Sequence, residues 1–213
     1  MWTNGERILY QPIDSPEVTG YWTPIRRCTD RLEMMTRFLC TAGVNVGNST
    51  FLDIASSYGW FLSEMRKLGS EVHGIERDPV AISVGELVYG VPRDHVTRGD
   101  CVRVLRACDR RFDVVACFSI LHHFALGKGS VPPEDFIRLV DQATRTVLFL
   151  DTGQCAEAWF KKSLAAWNPD FIEKWLLRNT TFTRVLRLGT DCDNIGRYKN
   201  NYGRTLFACT RAS

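Results

Sequence analysis

The sequence predicts an α/β fold: a doubly wound, mostly parallel seven-stranded sheet with an antiparallel hairpin at its carboxyl end. Three observations carry that expectation. Between residues 50 and 151, short apolar runs alternate with helix-like segments, the grammar of a parallel sheet with helices on both faces. The fourth run, Phe112–Cys117, is apolar almost throughout, as a strand covered on both faces should be. Near the carboxyl end, Thr181–Leu188 and Arg204–Thr210 alternate apolar and polar residues, and the polar stretch Asp193–Tyr202 separates them.

Taken in order, residues 1–27 show no strong period, and Pro12 and Pro16 make the lead segment irregular. Tyr21 and Trp22 stand near Arg26 and Arg27, which reads either as an arm packed on the domain or as a lid over a cleft. Thr29–Cys40 is helical, with Leu32, Met35, Phe38 and Leu39 on one face and Thr29 or Asp30 as its cap. Gly43 to Asn48 breaks the pattern. The strands Phe51–Ile54, Val72–Glu76, His95–Arg98, Phe112–Cys117 and Thr146–Leu150 follow. Between them lie the helices Gly59–Lys67, Pro79–Val88, Val102–Ala107, Ile120–Leu126 and Pro133–Thr144. Asp78 is placed to cap the second of these, with Pro79 at its first position. Ala156–Ala166 and Pro169–Arg178 read as two further helices before the hairpin. All of 1–213 is expected to form one domain, with 1–45 as an arm or lid and a helix.

Composition narrows the class. Hydrophobic residues make up 45% of the chain and charged residues 24%, which argues against disorder. A net charge of +3 lacks the basic excess of a dedicated nucleic-acid binder, and it neither demands nor excludes RNA. None of the cysteines forms a C-x-x-C pair, so neither a zinc ribbon nor a redox dithiol is signalled, and buried thiols in a reducing compartment are expected. The first residues are polar, no apolar run approaches the length that spans a bilayer, and a cytoplasmic protein is expected.

Ligands of such sheets bind at the carboxyl ends of the strands. There the sequence places Asp53, Ala55, Ser56, Ser57 and Gly59, then Glu76 and Arg77, then Gly99, Asp100 and Cys101. Phe118, Ser119, His122 and His123 follow, and then Asp151. A pyrophosphate wants free N–H groups and no anion beside it, so Asp53 repels one. The same carboxylate suits a ligand that carries an ammonium group. Glu76 is placed to accept ribose hydroxyls, which supports a nucleoside without choosing among cofactors. Plainer readings stand beside these: helix caps for Asp53 and Asp100, and a surface pair for Glu76 and Arg77.

The order of these motifs resembles the class I S-adenosylmethionine-dependent methyltransferases. Phe-Leu-Asp53-Ile-Ala55-Ser56-Ser57-Tyr-Gly59 stands where that family has an acid followed by G-x-G-x-G, with Ala55 and Ser57 replacing two glycines. Val-His-Gly-Ile-Glu76 stands at its ribose acid, Gly99-Asp100 at its adenine aspartate, and Phe112 to His123 at its fourth-strand motif. The resemblance implies a Rossmann-like methyltransferase fold and S-adenosylmethionine as cofactor. Asp53 then meets the methionine ammonium, Glu76 the ribose, and Asp100 with Cys101 the adenine. Phe118 and Ser119 line the methyl channel, and Arg26, Arg27 or Arg31 closes the cleft or meets the cofactor carboxylate.

If the acceptor is a hydroxyl, a base helps, and His122 or His123 is placed to serve. A histidine pair satisfied by backbone groups is the plainer reading. Asp151 is placed to orient a histidine, to bind a substrate hydroxyl or to cap a helix. No ligand spacing supports a metal site. Tyr21, Trp22, Tyr58, Trp60, Trp159 and Trp167 are expected in the core or on a rim suited to a sugar or a flat base. The lead sequence loosely resembles bacterial enzymes that modify sugars or glycans, so O-methylation of a sugar or another small molecule is expected, without a membrane partner. RNA is the second reading, favoured by the basic, tyrosine-bearing stretch Arg197–Arg204. A non-catalytic nucleotide-binding protein is the third.

Overall fold

In the computed structural model, residues 2–3, 6–13, 22–199, 201 and 203–212 are described. Tyr21 lies outside them. Three short strands come first: β1 (Trp2–Thr3), β2 (Glu6–Leu9) and β3 (Thr23–Pro24), which form a small separate sheet. The main sheet holds β4 (Thr50–Ile54), β5 (Glu71–Glu76), β6 (Val96–Arg98), β7 (Phe112–Phe118), β8 (Thr144–Asp151), β9 (Arg184–Thr190) and β10 (Thr205–Thr210). Its order is β6-β5-β4-β7-β8-β10-β9. The strands from β6 across to β8 are parallel, and β10 runs antiparallel to both its neighbours. The predicted doubly wound sheet with its carboxyl-terminal hairpin is therefore present.

The helices are α1 (Thr29–Thr41), α2 (Trp60–Lys67), α3 (Pro79–Tyr89), α4 (Cys101–Arg106), α5 (Leu121–Ala125), α6 (Pro133–Ala143) and α7 (Pro169–Asn179). Side chains alternate across each strand, so the sheet feeds two cores. Leu52, Ile54, Val115, Cys117, Leu148 and Leu150 pack with α4, α6 and α7. Phe51, Val114, Ala116, Val147 and Phe149 pack on the opposite face with α1 and α2. None of the helices among the described residues is long and apolar enough to cross a membrane.

Three local expectations differ from the structure. The start of α1 is not capped by Thr29 or Asp30. Cys28 stands at the cap position with φ 67° and makes no side-chain cap bond. The cap comes from the β9–β10 connection, where the Asp193 carboxylate accepts from the Asp30 and Arg31 N–H groups at 3.0 and 3.4 Å. In return, the Cys192 N–H donates to the Asp30 carboxylate at 2.7 Å. The predicted helix Ala156–Ala166 is a run of turns, because Cys155 N–H donates to the Trp167 carbonyl and closes the segment on itself. β9 begins at Arg184, since the Thr181 N–H and hydroxyl are both held by the Asp141 carboxylate.

Candidate functional site

The first cleft wall is the turn between β4 and α2. Ala55, Ser57 and Gly59 have φ of 60°, 54° and 79°, the left-handed region that favours glycine. The conformation of a three-glycine turn is thus kept with side chains at two of its positions. Glu76, at the end of β5, braces it: one carboxylate oxygen accepts from Ser57 N–H at 2.8 Å. The other accepts from the Arg77 and Asp78 N–H groups at 2.8 and 2.9 Å. A carboxylate has about four acceptor sites, so Glu76 keeps capacity for a ligand hydroxyl. Gly85 of α3 presses against the same turn: a Cβ there would lie 2.4 Å from the Tyr58 carbonyl oxygen.

The arm ahead of the sheet supplies a clamp that no sequence motif announces. Gln11 is buried; its amide donates to the Ser56 carbonyl at 3.1 Å and accepts from the Trp60 N–H at 3.1 Å. It therefore joins the turn to the first residue of α2.

A cleft of about 740 Å³ opens along the carboxyl ends of the strands, within the range of small-molecule sites. Glu76, Arg77, Asp100 and Cys101 line it beyond β5 and β6; Ala55, Ser57 and Tyr58 line it beyond β4; Phe118, Ser119, His122 and His123 line it beyond β7. Tyr10, Lys128 and Arg204, which the sequence did not single out for the site, line it too. Asp100 also caps α4, accepting from the Arg103 N–H at 3.1 Å, so its two readings hold together. Ser56 and Gly59 are buried beneath the turn and do not line the cleft. Trp22, Arg26 and Arg27 do not line it either. Arg26 is buried, and Arg27 is exposed with its guanidinium on the Cys192 carbonyl.

Asp53 is 3% exposed, and its Oδ2 has no hydrogen-bond partner. Burial, and secondly the Glu76 charge, push its pKa up to about 8. Asp53 is also not among the residues that line the cleft; an ammonium group that reached it would supply the partner it lacks.

Asp151 stands in the opposite situation. Arg31 Nη1 donates to it at 3.0 Å, Ser119 donates from its N–H at 2.8 Å and its hydroxyl at 3.1 Å, and Arg204 Nη1 lies 3.6 Å away. Arg31 and Arg204 outweigh the burial that opposes them and hold its pKa down at about 2. Asp151 does not orient a histidine, and it neither lines the cleft nor caps a helix; it is the centre of a buried ion network. Arg31 continues the network to Asp193 at 3.2 Å, and Arg204 clamps both carboxylate oxygens of Glu157 at 2.9 and 3.0 Å.

The two histidines differ. His122 is buried, and its Nδ1 accepts the Gly153 N–H at 3.1 Å, which places its proton on Nε2. Burial and then Arg204 lower its pKa to about 3, so it stays neutral. His123 is exposed at the cleft mouth, and desolvation followed by Lys128 lowers its pKa as well. Just past β8, Thr152 Oγ1 and both polar atoms of the Gln154 amide are buried without partners. Among the described residues no cluster of histidine, cysteine or acid side chains is arranged to hold a metal.

Residues 52–147 match a family described as a methyltransferase domain. No curated protein matches the sequence at a significant level. The structure of WbdD resembles this chain with a TM-score of 0.72 at 18% identity, over 94% of this chain and 44% of WbdD. The chain thus spans less than half the length of that protein, which another of its structures describes as a bifunctional kinase-methyltransferase. Magnesium protoporphyrin IX methyltransferase from Synechocystis PCC 6803, solved with S-adenosylmethionine bound, gives a TM-score of 0.60 at 15% identity, over 86% of this chain and 79% of that one. A candidate RNA methyltransferase from Pyrococcus horikoshii gives 0.58 at 15% identity, over 89% and 88%. At such identities the likeness carries the fold.

Proposed function

We propose that the chain is a class I S-adenosylmethionine-dependent methyltransferase, a reading supported by the match of residues 52–147 to a methyltransferase domain, and that it methylates a hydroxyl oxygen of a sugar, a glycan or another small hydroxylated molecule. When bound, the cofactor supplies a methyl group on a cationic sulfur, open to in-line attack. The chain's own residues hold it and prepare the acceptor. Glu76 would hold the ribose hydroxyls, Asp100 with Cys101 would flank the base, and Asp53 would receive the ammonium if the ligand reaches it. Phe118 and Ser119 shape the passage toward the acceptor.

The observation that carries the reading is the division of labour between the histidines. His122 has its Nδ1 lone pair engaged by Gly153, so it presents an N–H donor from Nε2. His123 is open at the mouth, and desolvation followed by Lys128 favours its neutral form, which suits it to take the proton of an acceptor hydroxyl. The base role expected of either histidine therefore falls to His123. Asp151 is a positioning residue, since both of its carboxylate oxygens are engaged. Arg204, the last residue of the basic stretch, is buried on Glu157 and is not offered to an RNA backbone.

Methyl-labelled S-adenosylmethionine, presented with hydroxylated sugars, small phenols and RNA, tests the proposal. Labelling of a sugar hydroxyl supports it. Labelling of RNA alone, with turnover that falls steeply as salt rises, replaces it. With the acceptor found, His123→Ala should lower kcat roughly 10²–10⁴-fold while cofactor affinity holds.

A further inference from the structure

Several exposed arginines of this protein have an acid of their own: Arg93 meets Glu86, Arg110 meets Glu71 and Arg145 meets Asp113. Around the cleft, beyond β5 and β6, that pattern stops. Arg77, Arg103, Arg106 and Lys128 are exposed, and among the described residues their side chains make no hydrogen bond or ion pair. Arg77 follows β5, Arg103 and Arg106 belong to α4, and Lys128 follows α5. Segments distant in the chain thus bring unmatched positive charge to one rim.

Two cavities meet at that rim. Arg77 and Lys128 line the cleft itself. Arg103 and Arg106 line a second cavity of about 500 Å³. Asp100 and Ser130 line both, so the second opens beside the first. After desolvation, the charges of Lys128, Arg204 and Arg77 bear on His123, which sets the rim close to the candidate base. Unpaired like charges at a cleft mouth draw in a ligand of opposite sign. S-adenosylmethionine carries a net positive charge, so the rim does not serve to attract it. A nucleic-acid strand is a poor fit: the second cavity has no aromatic lining on which a base could stack, and a backbone crossing between the cavities would meet the Asp100 carboxylate. A compact anion avoids both difficulties.

We propose that Arg77, Lys128, Arg103 and Arg106 recognise an anionic group on the acceptor, so that the substrate is a hydroxylated sugar bearing a phosphate or a carboxylate. The proposal rests on the methyltransferase reading with a sugar acceptor. Arg103 and Arg106 attract the anion from the adjoining cavity, and Lys128 and Arg77 meet it at the mouth, beside His123.

Calorimetry at low ionic strength, on protein saturated with S-adenosylhomocysteine, tests it with glucose, glucose 6-phosphate and glucuronate. At least one anionic sugar should bind roughly 10–100-fold more tightly than glucose, and the tighter of the two identifies the anion. Lys128→Gln, and Arg103→Gln combined with Arg106→Gln, should each remove most of that preference while S-adenosylhomocysteine affinity stays within about twofold. All three side chains are exposed, so the variants should keep the parent's melting temperature. Absence of any preference, including no binding of any sugar, overturns the proposal, as does a preference that survives both variants. A short RNA that binds more tightly than either anionic sugar, with affinity falling steeply as salt rises, replaces it with a nucleic-acid partner. Failure of the unmodified protein to bind S-adenosylhomocysteine removes the cofactor reading instead, and the same sugar titrations without that ligand then judge the rim on its own.

Discussion

Asp53 and Asp151 end two strands of one sheet, β4 and β8, with only β7 between them, and both are buried. Their chemistry is opposite. Asp53 has an orphaned oxygen and a pKa raised to about 8; Asp151 has two arginines and a serine and a pKa held at about 2. Strand-end placement thus says where an acid lies and nothing of its charge. Partners decide that: the acid left without them is open to a ligand, and the acid supplied with them holds the scaffold.

Breaking the supplied acid should have the largest effect. Asp151→Asn should lower stability by about 3–5 kcal/mol, the usual cost of leaving buried charges unpaired, read from urea unfolding at pH 7. A loss below about 1 kcal/mol would mean that water relieves Arg31 and Arg204, and the contrast would fail. Asp53→Asn should instead weaken S-adenosylhomocysteine roughly 10–100-fold with the fold intact; unchanged affinity would leave the orphaned acid without a ligand.

The two acids should also tilt stability in opposite directions with pH. Asp53 has a folded pKa of about 8, above the ordinary aspartate value of roughly 4. The folded protein then binds the extra proton, and the stability this gives is present below about pH 4 and is lost as pH rises toward 8. Asp151, held at about 2, contributes stability that is present above about pH 4 and is lost as pH falls through 2. Unfolding of the ligand-free protein should show Asp53→Asn gaining on the parent between pH 5 and 8.5; parallel curves would contradict the raised pKa. The smallest effect concerns the turn. Ala55→Gly and Ser57→Gly relieve left-handed strain of roughly 1–2 kcal/mol and lose part of it to chain entropy. Each should raise stability by under about 1 kcal/mol; a clear loss in thermal melts would show that the side chains make contacts which outweigh the strain.

The strand-end side of the cleft was legible because Glu76 ends an apolar run and Asp100 follows a short strand, and the order of the runs places both. Glu76 and Asp100 line the cleft, as their positions in the sequence imply, whereas Asp53 is buried and does not. Little announced the other side. Asp191 and Asp193 sit in a polar loop that reads as solvent-exposed, yet both are buried, and Asp193 caps a helix some 160 residues earlier in the chain. Arg204 closes the basic stretch that favoured an RNA reading, yet it is buried on Glu157, within a segment expected to be helical. One signal was available. Arg31, Met35 and Leu39 share a helical stripe at four-residue spacing, and all three are buried. A cation on an apolar stripe needs buried acids, and the sequence holds no clue to which.

By itself the sequence determined the alternation of strands and helices, the closing hairpin and the three acids at successive strand ends, because periodicity and turn chemistry act between near neighbours in the chain. Only the tertiary structure decided which aspartate is supplied with partners and which histidine is buried. Those depend on desolvation and on charges brought within a few ångströms of one another from opposite ends of the chain.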